Sequence, residues 1–179
     1  NIDGHKLRDY NSAIGSGALS GNTSGTRNIA LGYGALDIPD TENDNLAVGF
    51  EALGGTIAGG ELNVAIGNYT LDVLTSGDGN TGIGYSSLSA VTTGNNNVAV
   101  GRGSAGTVTT GSSNVVIGRS ADVSSNAASN QIVIGHNVAG HGDNITVIGN
   151  TNNTAWHPAD DNGVDLGSSS YEFKDVYVD

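Results

Sequence analysis

A five-residue phrase that opens on asparagine and closes on glycine recurs along this chain, and its spacing restricts the possible folds severely. It reads NSAIG at 11–15, NIALG at 28–32, NLAVG at 45–49, NVAIG at 63–67, NTGIG at 80–84, NVAVG at 97–101 and NVVIG at 114–118. The closing glycines are Gly15, Gly32, Gly49, Gly67, Gly84, Gly101, Gly118, Gly135 and Gly149, at intervals of 17, 17, 18, 17, 17, 17, 17 and 14. Self-similarity at such a period indicates a solenoid in which each repeat makes one coil. Helix–turn–helix repeats run longer, and these phrases are short, β-branched and bounded by Gly, Asn, Ser and Thr. At about 3.3 Å per residue, a coil of this length fits two strands of roughly four to five residues and two turns. The expected fold is therefore all-β: a parallel β-roll, or β-solenoid, of nine coils over residues 11–150 and about 40 Å long. Residues 1–10 read as a lead-in and 151–179 as a separate, neck-like closing element.

Within the phrase, strand parity separates two faces. The residue before each glycine is Ile14, Leu31, Val48, Ile66, Ile83, Val100, Ile117, Ile134 or Ile148. Two positions earlier, on the same face, stand Ile29, Leu46, Val64, Val98, Val115 and Ile132, with Ser12, Thr81 and Thr146 as exceptions. Between them, pointing the other way, come Ala13, Ala30, Ala47, Ala65, Gly82 and Ala99, then Val116, Val133 and Val147. A strand apolar on both faces is covered on both, yet a single roll has one interior. The expectation is that the large residues, Ile66 and Val100 among them, fill the roll while the small ones let a second copy approach. The reverse assignment is open on sequence grounds.

Asn11, Asn28, Asn45, Asn63, Asn80, Asn97 and Asn114 open seven of the nine phrases. Asn is both donor and acceptor, so stacked copies can bond coil to coil. The second half of each coil is looser. GYGAL (32–36), GFEAL (49–53), GNYTL (67–71) and GYSSL (84–88) place a Leu four residues after the glycine, and LTSG (74–77), VTTG (91–94) and VTTG (108–111) follow. The variable stretches DIPDTENDN (37–45) and GGTIAGGEL (54–62) read as solvent-facing loops, where a binding specificity can sit.

Composition narrows the function. The 29 glycines in 179 residues would suggest disorder were they not periodic. The formal charge is −12, and only six residues are Lys or Arg, which speaks against a nucleic-acid partner. No apolar run reaches the roughly 18–20 residues a membrane-spanning helix needs, so no membrane insertion is expected. Without cysteine there is no disulfide, thiolate metal site or cysteine nucleophile.

Residues 11–150 resemble the head domains of trimeric autotransporter adhesins, whose repeats carry an Asn-x-Val-Ala-Ile-Gly phrase. The resemblance implies a left-handed roll and a homotrimer. The longer period, with GYGAL and VTTG flanking the phrase, looks more like repeats of bacteriophage tail fibres. The segment DNGVDLGSSSYEFKDVYVD (161–179) is similar to one that precedes the C-terminal chaperone of such fibres. The closing element holds Trp156, Tyr171, Phe173 and Tyr177, aromatics suited to a neck between three chains. The resemblance implies an extracellular, virion-borne adhesin that attaches to a host surface glycan or protein. A bacterial surface adhesin head is one alternative, and a polysaccharide-degrading tailspike is another.

Residues with chemistry are few. His136 and His141 lie in GHNVAGHGD, where a threefold axis can gather copies of one His around an ion. Neither they nor His5 and His157 form a His-x-His pair, and solvent-facing turns are the expectation. Asp37, Asp40, Glu42 and Asp44 could gather around calcium but lack regular ligand spacing. No carboxylate pair is singled out for glycan hydrolysis, and neither a nucleophile elbow nor a phosphate loop is present. The expectation is a non-enzyme without metal or cofactor. Tyr33, Phe50 and Tyr85 each follow an anchor glycine, and Arg102 and Arg119 take that slot further on. Such a row suits sugar binding, or stacking that stabilises neighbouring coils.

Overall fold

The structure, a computed structural model, describes residues 10–39, 41–155, 170, 173–175 and 177. Among them are the short strands β1 (Ser12–Ile14), β2 (Ile29–Leu31), β3 (Ile38–Pro39), β4 (Leu46–Val48), β5 (Thr56–Ile57) and β6 (Val64–Ile66). They continue with β7 (Thr81–Ile83), β8 (Val98–Val100), β9 (Val115–Ile117), β10 (Ile132–Ile134) and β11 (Thr146–Ile148). Nine of these form one sheet in the order β1-β2-β4-β6-β7-β8-β9-β10-β11. Every pairing is parallel and in register, as in Ala47↔Ala65, Ala65↔Gly82 and Gly82↔Ala99. The variable loops pair through β3 and β5, with Ile38 opposite Thr56. The chain is a β-solenoid of about 17 residues per turn. The proposed closing element, with Trp156 and Tyr171, falls largely outside the described residues.

Each coil contains one three-residue strand in the main sheet, not the expected pair of longer ones. The reason lies at the closing glycines. From Gly15 to Gly135 their φ values run between 128° and 143°, a region open in practice only to glycine. A Cβ on Gly32 would lie 2.2 Å from the Gly49 carbonyl oxygen, and one on Gly118 2.0 Å from that of Gly135. Backbone stacks directly on backbone there. Beyond the glycine the chain turns again at Leu36 (φ 48°), Leu53 (50°), Leu71 (54°) and Leu88 (53°). A left-handed leucine costs about 1 kcal/mol or more. Two contacts offset that cost: these side chains are fully buried, and their N–H groups reach the next coil, Leu36 to the Ala52 carbonyl at 2.9 Å and Leu88 to the Ser104 carbonyl at 3.0 Å. The wall opposite the sheet is thus a stack of turns.

The two faces of the strand are present, but their assignment is the reverse of the expectation. Ala47, Ala65 and Ala99 are wholly buried, as are Val116 and Val133. Ile14, Leu31, Ile66, Ile83, Ile117 and Ile148 are between 37% and 57% exposed, and Val100 is half-buried. The interior is narrow, because Leu36, Leu53, Leu71 and Leu88 already enter it from the turn wall, joined by Leu74, Val91 and Val108. Only small strand side chains fit. A Cβ on Gly82 would lie 2.6 Å from the Thr70 methyl. From Ala105 to the end of the roll there is no leucine, and the inward strand residues grow to Val116 and Val133. This exchange keeps the core filled.

The asparagine ladder runs along one corner of the core. The Asn80 N–H donates to Asn63 Oδ1 at 2.9 Å, and Asn63 Nδ2 donates to the Gly77 carbonyl at 2.9 Å. The same pair of bonds recurs from Asn11 through Asn114. Gln131 extends the ladder one rung, its N–H donating to Asn114 Oδ1 at 3.0 Å. It is fully buried, and its amide is held by Ser124 and Asp143.

Candidate functional site

Two surfaces stand out, and both come from the phrase itself. The first is the outer face of the main sheet. Because parity turns the alanines inward, two columns of mostly large apolar side chains point out, one from the third residue of each strand and one from the first, the latter interrupted at Ser12, Thr81 and Thr146. At about 4.8 Å per rung the strip is roughly 40 Å long and 10 Å wide. Its size approaches the largest apolar patches that monomers leave open.

The second surface runs along the sheet edge just past the glycines, where in-register coils bring the next side chains into a single row. Tyr33 stacks on Phe50 with ring centroids 5.0 Å apart and planes 13° from parallel. Phe50 meets Tyr69 edge-on at 5.4 Å, and Tyr69 meets Tyr85 edge-on at 5.8 Å. Arg102 continues the row, its guanidinium carbon 6.0 Å from the Tyr85 ring centre, within cation–π range. Arg119 follows and is hydrogen-bonded to His136 Nε2. Tyr33, Phe50, Tyr85, Arg102, Arg119 and His136 are all exposed.

Sequence reading placed Tyr33, Phe50, Tyr85, Arg102 and Arg119 in this row and missed two members. Tyr69 sits one residue later than its slot, because Asn68 takes the slot and accepts a hydrogen bond from the Phe50 N–H at 2.9 Å. The signal that could have found it is the aromatic in GNYTL (67–71), one position further from its glycine than those of GYGAL, GFEAL and GYSSL. His136 was expected in a solvent-facing turn, with metal binding as the alternative, and was not placed in the row although it directly follows Gly135.

The remaining candidates are dispersed. His136 lies in the row, His141 is exposed in a loop, and His5 and His157 fall outside the described residues. No group of three or more His, Asp or Glu among the described residues could hold a metal ion. Nor is any helix there long and apolar enough to cross a membrane.

The acidic stretch is not the open loop expected of it. Glu42 is buried and accepts the Gly59 N–H at 2.8 Å and the Thr41 N–H at 3.0 Å. Asp44 makes a two-pronged ion pair with Arg27 of the preceding coil, at 2.6 and 2.7 Å. That hydrogen-bonded guanidinium lowers the Asp44 pKa. Asp37 accepts from the Ser20 hydroxyl, and Asp40 is outside the described residues. Asp37, Glu42 and Asp44 are each occupied with their own neighbours. Asp72 is different: burial, with a smaller contribution from Glu51, raises its pKa. Its buried Oδ1 has no hydrogen-bond partner among the described residues.

Comparison with protein-family models, with curated proteins and with solved structures finds no match to the chain. Its reading therefore rests on the solenoid, its outward apolar strip and its aromatic–cationic edge.

Proposed function

We propose that this chain is a structural and adhesive segment of a homotrimeric fibre, of the kind phage tail fibres use to reach and hold a host cell surface. It acts outside the cell, on the virion, and catalyses no reaction. The observation that carries the reading is the outward apolar strip, from Ile14 and Leu31 through Ile66 and Ile83 to Ile148. A single solenoid has no second layer to cover it, and burying such a strip is the main driving force of association. Three copies turned face-inward about a common axis would cover all three strips and leave the turn walls outside. The resemblance of the repeats to trimeric adhesin heads favours three copies over two. A rod of this sort offers equivalent edges to a surface, so weak contacts add through avidity.

Light scattering on the purified chain tests the assembly. The expected mass is three times 17.9 kDa. Ile66→Asp together with Ile83→Asp should reduce it to one chain, because like charges would then face each other in a dry interface. A folded wild-type monomer at micromolar concentration would overturn the fibre.

A further inference from the structure

We infer that the row past the closing glycines is a binding site for a carboxylate-bearing oligosaccharide, lying along the solenoid edge with its sugar rings on the aromatics and its acidic groups on the cations. The inference names the receptor class for the adhesive reading above and rests on that reading, but not on the number of chains.

The row divides into two contrasting parts. Its first part, Tyr33, Phe50, Tyr69 and Tyr85, is a continuous ladder of ring contacts, which by itself would serve stability. The second part does not fit that purpose. Arg102 and Arg119 are turn residues on successive rungs about 4.8 Å apart, and like charges so placed repel. An anion bridging them reverses the sign.

Neither guanidinium is paired with an acid among the described residues. The ion pairs among the described residues join Arg27 to Asp44 and Lys174 to Asp175. Arg102 contacts the Tyr85 ring, and Arg119 contacts His136. Beside the cations the flanking columns bring no carboxylate, being Gly103, Ser120 and Asn137 on one side and Val100, Ile117 and Ile134 on the other; the column's acid, Glu51, stands beside Phe50, three rungs from Arg102. In a chain of net charge −12 with six Lys and Arg in all, this is a local reversal of sign.

The chemistry then selects the ligand. Guanidinium forks match carboxylates in a planar, two-bond geometry. Exposed Tyr and Phe rings offer flat apolar surface with a polar rim, which suits the C–H face of a pyranose. Tyr33 to His136 spans about 29 Å at the rung spacing, so the ligand is a chain of sugars.

Isothermal titration of the full chain with a galacturonate hexamer tests the site, with the methyl-esterified hexamer and inorganic phosphate as comparisons. The acidic hexamer should bind. Esterification should weaken binding about tenfold or more, as should Arg102→Gln combined with Arg119→Gln. Tyr33→Ser combined with Tyr85→Ser should weaken both hexamers. Phosphate competing as well as the hexamer would reduce the site to a bare anion site and overturn the proposal. So would unchanged binding by the double glutamine variant, or no binding by wild type. Loss of trimer mass in the glutamine variant would place the row between subunits and also overturn it. A wild type that weighs three chains but ignores the hexamer would sink this site and leave the fibre standing.

Discussion

Asn63 is where two coils are joined through a single side chain. Its Nδ2 donates to the Gly77 carbonyl at 2.9 Å, and its Oδ1 accepts the Asn80 N–H at 2.9 Å and the Asn80 side-chain amide at 3.2 Å. All of this happens in a fully buried corner. Asn63→Ala would leave a carbonyl and an N–H without partners, at a cost of about 2–3 kcal/mol. Asn43 provides the comparison. It lies in the stretch 37–45 that reads as a solvent-facing loop, yet it accepts from the Thr26 N–H and hydroxyl, both at 2.8 Å, and donates to Glu61 at 2.7 Å. These bonds are only part-buried, so water can replace them, and Asn43→Ala should cost about 1 kcal/mol. Urea unfolding of the two variants measures the difference. Equal losses would mean that burial does not set the worth of the ladder.

The strand is the element that decides which residues can be large. Its central residue enters an interior already occupied from the turn wall, and its flanking residues face outward. Ala99 is fully buried between Gly82 and Val116 in the neighbouring strands. Ala99→Leu should therefore overpack the coil and destabilise the fold by about 1–3 kcal/mol, read as a lower midpoint in thermal unfolding. Were the alanines the outer face, the same change would alter association and leave the fold intact. The turn wall has its own requirement. Left-handed leucines such as Leu53 and Leu71 tie the coil to the next through N–H groups donating to the Thr70 and Ser87 carbonyls at 3.0 and 3.2 Å.

At the scale of the whole molecule, one core runs without interruption from Ala13 to Val138, and each coil touches only its neighbours. Stability in such a stack is close to a sum of coil and interface contributions. Covering the outer strip adds to every rung at once. If three chains associate as proposed, the thermal midpoint should rise with chain concentration, because association draws the equilibrium toward the folded state. Calorimetry across a hundredfold dilution reads this directly. A midpoint independent of concentration, in a chain that unfolds reversibly, would argue for a self-sufficient single solenoid.

The sequence by itself determined the coil and its period, because Gly32 or Gly118 tolerates no Cβ and the buried asparagine needs a copy of itself one rung away. Both constraints are local and repeat, so a linear reading recovers them. It also placed Leu36, Leu53, Leu71 and Leu88 at a distinct position, and it found most of the aromatic and arginine row. The direction of the strand's faces belonged to the tertiary structure. Parity shows that Ala65 and Ile66 point opposite ways, but only the width of the closed coil decides which side can hold an isoleucine. The same holds for Tyr69, which stands two residues past Gly67 and still reaches Phe50 and Tyr85, each one residue past its glycine, and for Glu42, buried by a loop that pairs with its neighbour. These outcomes depend on distances between coils, which no single stretch of chain contains.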